Sequence, residues 1–321
     1  MQLSRYETLF STFSIVARDA ETGQLGVAVQ THQMCVGAIV PWLLPGVGAV
    51  ATQSLVNVAF GPMGLAMLQE GVPAPRVVEA LVATDEGANR RQLAVVDAEG
   101  RAAAWTGDGC IAYAAHHTGE GYSVQANMMD TDRVVPAMAE AFEAAQGAAS
   151  TGSAQGLAQR MMAALHAAQR EGGDIRGMQS AALRVVSGEK GAQGFAATVY
   201  DLRVDESARP LDDLDRLVRL RNAQLIDRQG YRALHEEGID RALEIWAQAR
   251  AQAPELEELG YWQALTLADE HGEVEKAARI LREVFDQDPR RAQWIDLIRR
   301  LQACGLIERA EAGEELIVAI K

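Results

Sequence analysis

Lysine is nearly missing from this chain: of 321 residues only Lys190, Lys276 and Lys321 are lysines. A basic partner for a nucleophile in the first half must therefore be histidine, arginine or a freed α-amino group. Cysteine is scarce too. Cys35, Cys110 and Cys304 are too few and too far apart for a disulfide framework or a zinc pattern. Their use suits a reducing compartment, so a cytoplasmic location is expected. Residues 1–11 have neither a basic start nor an apolar core, so no signal peptide is expected there. Basic charge is also short. The net charge is −14 and both halves share it, so no basic stripe invites nucleic acid or an anionic membrane.

What is present looks like an ordinary folded chain. Hydrophobic residues make up 48% and charged residues 23%, enough for each half to bury a core, and the length suggests two domains. Residues 22–69 carry no Asp, Glu, Lys or Arg. Pro41, Pro45, Gly46 and Gly48 break this run, and Gln53, Ser54 and Asn57 fall inside it, so it reads as buried strands rather than a membrane span.

Strands are expected at 12–17, 25–30, 36–40 and 48–54, the first two joined by a turn over 19–23. Helices are expected at 62–69, with Pro at its start, and at 75–83. Strands follow at 92–97, 101–106 and 122–127, then helices at 134–145 and 154–171, then strands at 180–186 and 194–200. Strands, a helix pair, strands, a helix pair and strands again fit two stacked antiparallel sheets with helices outside them. From about residue 211 the pattern becomes purely helical. Ala242, Trp246, Ala249 and Pro254 recur 35 residues later as Ala277, Leu281, Val284 and Pro289, a tetratricopeptide-like spacing. So short an array is expected to dock on a protein partner or to support a homo-oligomer.

Polar residues in apolar surroundings mark the candidate site. Gln53 and Asn57 either line a pocket or cap a turn, and Gln125 alternates with Asn127 on one strand face. Asp174, Arg176, Gln179 and Ser180 cluster before an apolar strand, where they either serve a site or close a helix end at Gly172-Gly173. Cys110, His116 and His117 match no zinc spacing, so no metal is expected, and nothing implies a cofactor.

Four segments resemble one family: Thr12-Phe13-Ser14-Ile15-Val16-Ala17-Arg18-Asp19, Gly48-Ala49-Val50-Ala51-Thr52-Gln53, Gly119-Glu120-Gly121-Tyr122-Ser123-Val124-Gln125, and the run from Gly173 to Leu183. The chain is similar there to the bacterial domain-of-unknown-function family ten-twenty-eight, over about 12–204, with a helical extension over 211–308. The resemblance implies an α+β fold, a four-layer αββα sandwich of the N-terminal-nucleophile (Ntn) hydrolase superfamily, followed by a small all-α helical-repeat domain. It implies an amide-bond hydrolase for a small or peptide-like substrate, with Thr12 as nucleophile once the Ser11–Thr12 bond is cut. Until then the Thr12 nitrogen is an amide and no base. His32 or Arg18 would stand in for the missing lysine. Asp174 and Ser180 would orient the nucleophile, Gln179 would donate to an oxyanion, and Arg18, Gln53, Asn57, Gln125, Asn127 and Arg176 would line the substrate site. In some relatives the extension has been taken as peptidoglycan-binding, which cytoplasmic cysteine usage argues against. The competing expectation is a non-catalytic binding or assembly protein on the same scaffold.

Overall fold

The computed structural model describes residues 9–10, 12–145, 154–286 and 288–321. The first eight residues and Ser11, on which the signal-peptide and processing readings turn, lie outside the described residues. The chain separates into two compact units, Met1–Val218 and Arg219–Lys321.

Unit 1 opens with β1 (Leu9–Phe10), β2 (Thr12–Arg18) and β3 (Leu25–Thr31). The β2–β3 turn closes on Asp19, whose Oδ1 accepts from the Thr22 N–H and hydroxyl at 2.8 Å each. Gly23 supplies the left-handed φ of 70° that the turn needs. Next come β4 (Pro41–Leu44), β5 (Gly48–Leu55), α1 (Phe60–Gln69), α2 (Ala74–Ala83), β6 (Arg91–Asp97), β7 (Ala102–Thr106), β8 (Ala115–Gly119) and β9 (Tyr122–Asn127). Helices α3 (Val134–Ala144) and α4 (Ala154–Arg170), strand β10 (Ser180–Val186), the short α5 (Gly194–Ala197) and β11 (Thr198–Val204) complete the unit.

The result is a mixed α+β unit with two antiparallel sheets. One runs β1-β5-β6-β7, with β4 also on β5, and the other β11-β10-β3-β2-β9-β8. Strand alternation decides which residues face which layer. Val16, Leu25, Val27 and Ala182 from the second sheet meet Ala49, Ala51, Ala94 and Val96 from the first. The opposite residues of β5 and β6, Val50, Leu93 and Val95, pack with Val77 and Leu81 of α2. On the far side Gly26 of β3 lies against Met161 and Leu157 of α4, and Tyr122 of β9 stacks on Phe142 of α3, ring centroids 4.7 Å apart.

Two expectations need correction, and one strand was not foreseen. Residues 36–40 are not a strand: Val36–Ala38 is a 3-10 turn, and the strand begins at Pro41. The reason is tertiary, since the Ser180 hydroxyl accepts the Val36 N–H at 3.1 Å and Cys35 takes a left-handed φ of 61°. Residues 194–200 begin as a helical turn and become strand only at Thr198. Strand β8 escaped notice because its residues are almost all exposed and show no apolar alternation.

The second unit is helical. Helix α6 (Pro210–Glu236), within which the division falls, is followed by α7 (Ile239–Gln252), α8 (Glu257–Asp269), α9 (Val274–Phe285), α10 (Arg291–Ala303) and α11 (Ala312–Ala319). Of the residues that recur at 35, all but Pro254 and Pro289 lie on α7 and α9. Ala242, Trp246, Ala277 and Leu281 are fully buried there with Tyr261 and Phe285. Glycines allow close approach: Gly230 of α6 faces the Trp246 ring, and Gly260 of α8 faces Val284. No helix among the described residues is long and apolar enough to cross a membrane.

Candidate functional site

Strand registers bring several of the singled-out residues into one row. Thr12 pairs with Asn127, and Thr31 pairs with Ser180. The register that pairs Phe13 with Gln30 sets Thr12 beside Thr31. By alternation Asn127, Thr12, Thr31 and Ser180 all share the face that looks toward the other sheet, because Gln125, Val16, Val29 and Ala182 do. All four are fully buried. This hydroxyl- and amide-bearing row occupies one end of the space between the sheets, and the aliphatic cluster around Val16, Leu25 and Val27 lies farther along it.

A hydrogen-bonded amide cluster lies against the row. Gln53 of β5 accepts from the Ser14 hydroxyl at 2.6 Å and donates to the Thr12 carbonyl at 3.2 Å and to Gln92 Oε1 at 2.7 Å. Gln125 donates to Ser14 Oγ at 2.6 Å and accepts from Ser123 at 3.0 Å. Gln92 Oε1 also accepts from Asn127 Nδ2 at 3.0 Å. Its Nε2 donates to Thr106 Oγ1 at 2.9 Å and to the carbonyls of Ala115 and Ala126 at 3.1 and 2.8 Å. Buried amides need such partners, and here they find them across the sheets. Gln92, Ser14 and Thr31 were missed by sequence reading. The available signal was parity: Gln92 has the same alternation as the inward-facing Ala94 and Val96.

The second cluster organises the loops at the same end. The Asp174 carboxylate, almost wholly buried, accepts from the His32 N–H at 3.0 Å, the Arg176 N–H at 3.0 Å and the Arg176 guanidinium at 2.9 Å. His32 Nδ1 donates to the Met178 carbonyl at 3.2 Å. The Ser180 hydroxyl donates to the Gln33 carbonyl. Gln179 contributes main-chain bonds, its N–H to Thr31 O at 2.9 Å and its carbonyl to Ser207 N at 2.8 Å. These contacts fasten the 32–36 and 174–180 segments together.

Two singled-out residues stand elsewhere. Arg18 ends β2, six residues and roughly 20 Å of extended strand from Thr12. Asn57 caps the turn into α1, accepting from the Ala59 N–H at 3.2 Å and donating to Asp85 at 3.4 Å. The thiol of Cys110 is pushed up by burial and so stays protonated. Among the described residues no three His, Cys, Asp or Glu side chains come together as a metal site.

Comparison with known proteins places the chain. A model of a family of unknown function, DUF1028, matches residues 12–214. The chain is similar to a crystal structure of a Silicibacter pomeroyi protein assigned to the same family, at 31% identity and a TM-score of 0.55, over 64% of this chain and 87% of that one. An ancestral β-subunit (Anbu) from Yersinia bercovieri matches at 12% identity and a TM-score of 0.28, over 64% of this chain and 91% of that one. No curated protein matches. On the strength of the match over 12–214, the chain belongs to the DUF1028 family.

Proposed function

We propose that unit 1 is an Ntn-type αββα scaffold and that Thr12 is its latent nucleophile for hydrolysis of a small or peptide-like amide. The observation that carries this reading is the position of Thr12: it opens a central strand, immediately after the chain leaves the sheet that holds β1, and it lies in the buried row with Asn127, Thr31 and Ser180. Cleavage before Thr12 would free an α-amine, whose ordinary pKa near 8 makes it a usable base at neutral pH. The Thr12 hydroxyl would then attack the substrate carbonyl and pass its proton to that amine. An ester to Thr12 would form as the substrate amine leaves, and water would release the acid. Gln53 would steady the strand through the Thr12 carbonyl, while His32, Asp174, Gln179 and Ser180 would position the loops over it. In this reading the helical unit is a tetratricopeptide-like module that docks a protein partner or a second copy.

One observation favours a second reading. The hydrogen bonds of Asp174, His32 and Ser180 go to neighbouring loops, and Thr12 is closed off from solvent. A non-catalytic binding scaffold needs nothing more. Intact mass and N-terminal sequencing after long incubation separate the two. A chain beginning at Thr12, with amidase activity abolished by Thr12→Ala, supports the hydrolase. A chain that keeps residues 1–11 and turns over no amide supports the binding scaffold.

A further inference from the structure

Beside the amide cluster the surface opens into a cleft of about 480 Å³, lined by Thr106, Asp108, Cys110, Tyr113 and His116 together with glycine and alanine backbone. That volume falls within the range of small-molecule sites. The buried cluster reaches its floor, because Gln92 bonds both Thr106 and the Ala115 carbonyl.

These bonds leave the Thr106 hydroxyl proton available to His116. Gln92 Nε2 faces the two main-chain carbonyls of Ala115 and Ala126, which can only accept, so the orientation of the amide is settled. An amide nitrogen cannot accept, so the Thr106 proton is not spent on Gln92. The hydroxyl lies 2.9 Å from His116 Nδ1 and is free to donate to it. In the tautomer whose Nδ1 accepts that proton, neutral His116 carries its own on Nε2 and offers an N–H donor. Burial of part of the ring, aided by the neighbouring His117, holds the imidazole below its usual range and keeps this neutral form at neutral pH.

The remaining chemistry selects charge. Among the described lining residues there is no lysine or arginine, while Asp108 brings a carboxylate. Tyr113 is 53% exposed, a ring face open to an apolar or cationic group. Cys110 donates to the Arg91 carbonyl at 3.4 Å and stays a thiol, so the cleft reads as a reversible binding site rather than a covalent trap.

We infer that this cleft binds a small cationic amide, its ammonium paired with Asp108, its carbonyl accepting from His116 Nε2–H and its apolar part on the Tyr113 ring. The inference does not depend on Thr12 ever being released.

The test uses the full-length protein and three probes of one shape: phenylalaninamide, 3-phenylpropanamide and 3-phenylpropionate, titrated by calorimetry and by NMR. Phenylalaninamide should bind best, by at least about tenfold over 3-phenylpropionate. Asp108→Asn, at an exposed position, should lower phenylalaninamide to the level of 3-phenylpropanamide. His116→Phe, which keeps a ring and removes the donor, should weaken both amides. Tyr113→Ala should weaken all three probes, and unchanged tryptophan indole signals would show each variant folded. Equal or tighter binding of 3-phenylpropionate, no binding of any probe, or variants that keep the original order would each overturn the assignment.

Discussion

At the scale of single residues, the structure sorts polar side chains by what they hold. Gln92 makes five hydrogen bonds from one buried amide, to Gln53, Asn127, Thr106 and two carbonyls. A net bond contributes about 1 kcal/mol, and a buried group left without its partner costs about 1–3 kcal/mol. Gln92→Leu should therefore destabilise unit 1 by about 3 kcal/mol or more. Asn57→Ala, which removes one cap contact and a long bond to Asp85, should cost about 1 kcal/mol or less. Urea titration of the two variants measures the contrast, and equal losses would show that the amide cluster does not stabilise unit 1 beyond an ordinary cap. Sequence reading found Gln53, Gln125 and Asn127 because an amide inside an apolar strand is conspicuous. It passed over Gln92 because that residue opens the strand expected at 92–97 directly after Arg90 and Arg91, where a polar side chain is not conspicuous. Arg18 entered as the substitute for a missing lysine that the resemblance implies, but it ends the strand that Thr12 begins, and an extended strand keeps its two ends apart.

At the scale of elements, strands 122–127 and 180–186 are found where local pattern puts them, because alternation and turn residues are local signals. Residues 36–44 could not be read that way, since their turn depends on a hydroxyl that comes from residue 180. Helix packing in the second unit shows the same split. The recurrence of Ala242 and Trp246 was visible, but the close contact of Gly230 with the Trp246 ring was not. A Cβ at Gly230 would meet that ring at 2.3 Å. Gly230→Ala should therefore destabilise the helical unit by about 1–3 kcal/mol through overpacking, against a helix-propensity gain of about 1 kcal/mol. Thermal melting decides which effect wins, and a raised midpoint would show that the helices shift apart freely. Asp227, on α6, adds a pH dependence. Burial pushes its carboxyl up to about 6, although the Gln263 amide donates to it at 2.6 Å and Arg250 lies near. Because the folded value lies above the unfolded one, this group's contribution is fully present below about pH 4 and is lost as pH rises through about 6. Asp227→Asn, which keeps an acceptor for Gln263, should stabilise the unit by about 1–2 kcal/mol at pH 8 after allowance for solvent screening. It should have little effect at pH 4. Denaturant midpoints at the two pH values check the sign, and a gain confined to pH 4 would reverse the argument.

At the scale of the whole molecule, the family match ends at residue 214 and the helical unit carries a core of its own. The sequence turns purely helical near 211, which is why a second part is expected to begin there. The division itself falls inside the continuous helix α6, where no proline- or glycine-rich linker signals it. Five tryptophans report on the two parts separately. In unit 1 the indole N–H groups of Trp42 and Trp105 donate to the carbonyls of Ile39 and Ala88 at 2.9 and 2.8 Å. In unit 2 Trp246 donates to the Asp227 carbonyl at 3.2 Å and Trp294 to the Asp288 carboxylate at 3.0 Å. Since separate cores can unfold separately, Gln92→Leu should lower the melting of the Trp42 and Trp105 signals while those of Trp246 and Trp294 hold their wild-type midpoint. Gly230→Ala should do the reverse. Indole proton signals followed through a temperature series distinguish the cases. A single shared midpoint that moves with either substitution would show that α6 couples the two cores into one cooperative fold, and a ligand held by one unit would then stabilise the other.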